Sequence, residues 1–196
     1  MTNWYEIVVS GAESAIRGFV AAIESETERH EAAVFGRDLG LESHRLSERV
    51  RELLSHGSRH LVFAPTGLAL GLVAALRRRG AEADLELAGF AEIVRARMGF
   101  SARAFSRELA GRIRAELLAG WPPGVEGQGI EEREDLDPDA RETELYTPEH
   151  EYVYRASGVV SGPLPGVIEL RRRALELPFV ATRALEVETK PATPPV

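Results

Sequence analysis

The sequence has no cysteine, which excludes disulfides, thiolate metal sites and thiol nucleophiles. Lysine is almost missing too. Lys190 is the only one, and arginine carries the rest of the positive charge. An arginine share of this kind follows genomic base composition more readily than selection for phosphate or carboxylate. No apolar run reaches the ~18 residues of a membrane-spanning helix, so no membrane partner is expected. Met1 to Glu6 lacks a basic region leading into an apolar run, so no leader is expected and the cytoplasm is the default compartment. Also absent are a glycine-rich phosphate loop with lysine, a dinucleotide fingerprint, a paired-histidine zinc motif and a G-x-S-x-G elbow. No cofactor or metal is therefore expected. Carboxylates are plentiful, but nothing selects a catalytic pair.

The charge that is present is concentrated in one place. Eleven acidic residues against Arg133 and Arg141 between positions 126 and 151 exceed the net charge of the whole chain, −7. The remainder is close to neutral and lacks the broad basic excess of a nucleic-acid binder. An apolar content of 44% over 196 residues is enough for a sizeable core.

Periodicity divides the chain into alternating strands and helices. Trp4 to Val9 reads as a strand. Ser10 to Glu13 fits a capping box, and Ile16, Phe19, Val20 and Ile23 then share one helix face. Ala32 to Phe35 is a short strand, and a second helix covers Ser43 to Ser55. Leu61 to Phe63 is a strand that turns through Pro65-Thr66-Gly67 into a third helix, closed by Arg77 to Arg79 and Gly80.

From Leu85 to Ala104 the period is two. Val94, Ala96, Met98, Phe100, Ala102 and Ala104 alternate with a polar, basic set that includes Arg95, Arg97 and Arg103. Leu85, Leu87, Ala91 and Ile93 have the opposite parity, so a turn or bulge near Gly89 is expected to separate two strands. A helix from Phe105 to Ala119 follows. Residues 121–148 show no periodicity and read as a flexible acidic loop. A strand resumes at Tyr152, a helix follows near Leu164, Ala181 to Val187 alternates as a last strand, and 191–196 reads as a disordered tail.

The tetrapeptide Val-Val-Ser-Gly occurs at 8–11 and again at 159–162, each time where a strand gives way to a helix. The joint at Ala64 to Gly67 resembles the second copy, with three arginines closing the helix in both cases. An internal repeat is therefore expected. The fold class is α+β: a ferredoxin-like α/β sandwich with a β-α-β-β-α-β core, plus a second, partial ferredoxin-like unit formed by the outer strand–helix–strand pieces. The corresponding segments are 1–58 for one unit, 59–120 for the core of the other, 121–148 for the acidic loop and 149–190 for the C-terminal piece.

Two readings of function follow. The first is a non-enzymatic binding or assembly module, acting as a homodimer or with a protein partner. The second is a small-molecule enzyme or sensor, with an anionic ligand held between a strand–helix joint and the arginine-rich sheet face. The binding residues would then come from Thr66, Gly67, Arg95, Arg97, Arg103, Ser161 and Gly162. Nucleic acid is not expected, because no aromatic alternates with these arginines. His44, Glu48, Glu52 and His56 form a ladder at steps of four, and the wheel turns it to solvent. Asp135, Asp137 and Asp139 begin like a calcium loop, but Ala140 and Tyr146 stand where glycine and glutamate are needed.

Overall fold

A computed structural model describes residues 2–27, 32–41, 46–136 and 152–194, with side chains at 135, 136, 152 and 153 outside the description. The chain divides into two compact units, Met1–Arg95 with Glu186–Val196, and Ala96–Leu185. Each is an α+β, ferredoxin-like arrangement, with the strand order expected from a β-α-β-β-α-β chain.

In the first unit the elements are β1 (Trp4–Ser10), α1 (Glu13–Glu26), β2 (Val34–Phe35), α2 (Glu48–Ser55), β3 (Arg59–Pro65), α3 (Thr66–Arg79) and the start of β4 (Glu86–Ala104). The antiparallel order is β2-β3-β1-β4. Ile7 stands opposite both Val62 and Phe90, and this row packs under α1 and α3 with Ile16, Val20, Leu72 and Val73. Alternation along β1 sends Glu6 and Val8 to the other face. There α2, inserted between β2 and β3, packs on β1 and β3 through Val50. Its N-cap is Ser47, whose hydroxyl accepts from the Val50 amide.

Glu6 is 5% exposed, between Phe63 and Ala91 in register. Burial pushes its carboxyl up to about 7, offset in part by the Arg49 charge on α2.

The second unit is built from the remainder of β4, α4 (Arg107–Ile113), β5 (Glu126–Leu136), β6 (Tyr152–Gly162), α5 (Leu164–Glu176) and β7 (Val180–Pro191) as far as Leu185. β6 pairs with both β4 and β5, and β7 pairs with β4. Met98, Phe100, Ala102, Ala156, Val160, Ile113, Val167 and Leu170 are all buried. Ser106 caps α4 by accepting from Leu109, and a widened π turn, Arg114–Leu118, ends that helix.

Several sequence expectations are corrected. The capping box at Ser10 does not form. Ser10 is the last residue of β1, Ala12 is the N-cap with no side-chain bond, and Glu13 pairs with Arg17 and Arg37. The Gly11 amide donates instead to the Ser58 carbonyl, with Gly11 at φ 140°. The parity change near Gly89 is a bulge, opposite Val8 and Val9, inside one continuous 19-residue strand. A bulge lets a strand change face without a turn, so the two strands counted between Leu85 and Ala104 are one. That regroups the elements around β4. Val94, expected inward, is 57% exposed.

Part of the acidic stretch is strand rather than loop, because Glu126–Leu136 is β5. Ile130 apart, its described side chains are polar or glycine on both faces. Glu132 and Glu134 bind Arg114, each at 2.9 Å, while Glu131 and Arg133 alternate with them. A strand with no apolar face gives no hydrophobic period to read. His44, Asp137 and Asp139 lie outside the described residues. Among the described residues no helix is long and apolar enough to cross a membrane, and no cluster of ligating side chains could hold a metal.

Candidate functional site

The sheet face of the second unit opposite its buried core is polar and exposed. Along β4 the outward residues are Arg97, Gly99, Ser101 and Arg103, since Met98, Phe100, Ala102 and Ala104 point into the core. On β6 the inward residues are Tyr154 and Ala156, and the outward ones Arg155 and Ser157.

Register turns these patterns into rows. Arg103 is the partner of Arg155, and Arg155 is in turn the partner of Arg133. Three arginines therefore stand directly opposite one another on β4, β6 and β5. Neighbouring strands are about 4.8 Å apart, so the row spans about 10 Å at the backbone. The next outward row is Ser101, Ser157 and Glu131. Among the described residues neither Arg103 nor Arg155 forms an ion pair.

These two rows line a cavity of ≈ 820 Å³. Phe105 and Phe179 also line it. Their rings meet edge to face, 5.8 Å between centroids, and the Arg103 guanidinium lies 6.0 Å from the Phe105 ring. Phe179 sits in the short turn between α5 and β7. It is 65% exposed and adopts φ 58°, in the left-handed region that bulky residues avoid. Its carbonyl accepts from the Arg103 amide at 3.0 Å, which fixes the turn against β4. The Arg183 stem lies across Gly99, where a Cβ would come within 3.0 Å of its Cδ.

Of the residues the sequence singled out, Arg103 lines this cavity and the other six do not. Arg97 is exposed on the same strand, opposite Ser161. Ser161 itself is 2% exposed, at the end of β6. Gly162 is filled in by protein: a Cβ there would lie 2.6 Å from the Gly124 carbonyl oxygen. Thr66, in the first unit, directs both its amide and its hydroxyl to the Asn3 carbonyl, each at 2.9 Å, and Gly67 follows it in α3. Arg95 belongs to the first unit, half-buried.

Sequence reasoning missed Arg133, Arg155, Phe105 and Phe179. The alternation Tyr154-Arg155-Ala156-Ser157 carried a signal for Arg155. Pairing it with Arg103 needed the register.

No family model matches the chain, and no curated protein matches it. Among solved structures it is similar to an unknown protein from Galdieria sulphuraria, at 11% identity over 96% of this chain and 99% of that one, with a TM-score of 0.31. It is also similar to a protein described as a candidate glycine cleavage system transcriptional repressor. There the identity is 7% over 96% of this chain and 98% of that one, with a TM-score of 0.26.

Proposed function

We propose that the chain is a non-enzymatic binding module that seats an anionic ligand on the exposed sheet face of its second unit. The register of Arg103, Arg155 and Arg133 is the observation that carries this reading. Like charges directly opposite one another on neighbouring strands, as Arg103 and Arg155 are, destabilise a sheet. An anion lying across the row reverses the sign of that interaction. Guanidinium groups present paired donors that match the oxygens of phosphate or carboxylate. The cavity they line has the size of a small-molecule site. Ser101 and Ser157 beside it supply hydroxyls that orient a bound group, while Glu131 disfavours negative charge beyond the row.

The test is thermal unfolding of the full chain at low ionic strength, with and without inorganic tripolyphosphate. A ligand that binds the native state stabilises it by about 2.7 kcal/mol at a hundredfold excess over Kd. The wild type is expected to gain Tm with tripolyphosphate, and the Arg103→Ala/Arg155→Ala variant to gain none. An unchanged wild-type Tm, or an equal gain in the variant, contradicts the proposal.

A further inference from the structure

We infer that the anion seated on the arginine row belongs to a nucleotide, with its base placed against Phe179 and Phe105. This inference rests on the anion-binding reading of the same face and adds the chemistry of the ligand's other end.

Core packing does not account for Phe179. Its side chain is mostly in water, so it contributes little to the core, and its backbone is held in a conformation that glycine or asparagine adopts far more easily. An exposed aromatic in a strained turn is a feature to explain by binding. Phe179 also meets a second aromatic, Phe105, and both line the cavity that holds the three arginines. The Arg103 guanidinium near the Phe105 ring joins the charged and aromatic parts of the site. A ligand complementary to both has a flat π-face at one end and several anionic oxygens at the other. A nucleoside polyphosphate has that form.

A single-stranded nucleic acid shares this chemistry, but the geometry favours the free nucleotide. Strand-binding sheets set out separate aromatics for successive bases. Here the two rings contact each other and form one stacking place. Glu131 stands in the row beside the three arginines, where a continuing phosphate chain would be repelled.

Calorimetric titration of the full chain with ATP, with inorganic tripolyphosphate and with an oligo(dT) single strand tests the inference. The variants are Arg155→Ala and Phe179→Gly, the latter because glycine accepts the left-handed backbone and keeps the turn. ATP is expected to bind about tenfold or more tightly than tripolyphosphate, the increment of one stacked base. Phe179→Gly should bring ATP down to the tripolyphosphate affinity and leave tripolyphosphate unchanged. Arg155→Ala should weaken both. If tripolyphosphate binds and ATP binds no better, the nucleotide inference falls and the anion reading stands. If neither binds, both fall. Tighter binding of oligo(dT) than of ATP overturns the inference in favour of a strand.

Discussion

Arg103 and Arg155 are register partners on adjacent antiparallel strands, two like charges placed where a sheet ordinarily puts a favourable pair. Their exposure keeps the repulsion modest, because water and salt screen it.

Removing one of the two should therefore leave stability intact or slightly improved. Arg155→Ala is expected to change unfolding free energy by less than about 1 kcal/mol, in the stabilising direction at low salt and close to zero at high salt. Urea unfolding at two ionic strengths reads this directly. A large salt-independent loss would mean that Arg155 is a structural residue.

Glu6 predicts a pH dependence in the first unit. Its folded pKa is raised from 4.5 to about 7 by burial, so between those values the native state holds a proton that the unfolded chain has lost. Stability from this group then falls as pH rises from about 4.5 through 7, by about 3 kcal/mol in total. Glu6→Gln should flatten the profile across that window and raise stability above it. Denaturant midpoints at pH 5 and pH 8 for both proteins check the sign. A wild type more stable at pH 8, with the variant following in parallel, would show that Glu6 is not the titrating group.

Two glycines should behave in opposite ways. Gly162→Ala places a Cβ 2.6 Å from the Gly124 carbonyl oxygen, backbone against backbone, and is expected to cost about 1–3 kcal/mol. Gly18→Ala, within α1 and with open space around it, should gain about 0.5–1 kcal/mol from helix propensity. Thermal unfolding of each variant against wild type tests the pair. Equal effects would contradict the close approach at Gly162.

Tyr154 shares a carboxylate with Arg114. Its hydroxyl donates to Glu132 at 2.7 Å, Arg114 donates to the same oxygen at 2.9 Å, and the guanidinium lies 4.5 Å from the Tyr154 ring. Burial, then the Glu132 bond, pushes the phenol up to about 12. Tyr154→Phe is expected to cost about 1 kcal/mol. Ultraviolet titration should find a phenol that resists ionisation well above pH 10 in the wild type, and the variant should lack it. A phenol at its ordinary value would remove the network.

How far the sequence is legible follows from which interactions are local. The strand–helix alternation, the buried parity of Met98, Phe100 and Ala102, and the ferredoxin-like class all come from periodicity, which neighbouring residues encode. The Gly89 bulge was visible as a parity change, but whether it ended the strand depended on β1 staying paired across it. β5 was hidden because its charges satisfy it through Arg114 and through its pairing with β6, not through an apolar face. The two Val-Val-Ser-Gly copies fall at different places in the topology, the end of β1 and the end of β6. Each of their glycines answers a close approach of protein, by Asp84 and Leu85 in one case and by Gly124 and Val125 in the other. The alternation of β4 marks Arg97 and Arg103 as outward, whereas Arg95, of the same parity, is half-buried in the first unit. Arg155 joins Arg103 only through strand pairing across more than fifty residues of sequence, Arg133 only through the pairing of β5 with β6, and Phe179 only through a turn at the far end of α5.

An anion seated on the arginine row would have a direct signature in the backbone amides of β4 and β6. Amide chemical-shift mapping on the labelled full chain, titrated with inorganic tripolyphosphate, tests it most directly. Saturable shifts are expected, centred on Ser101, Arg103, Arg155 and Ser157, weakened by salt and by Arg155→Ala. Shifts centred on the α3 N-terminus at Thr66 and Gly67, or none at millimolar ligand, would contradict it.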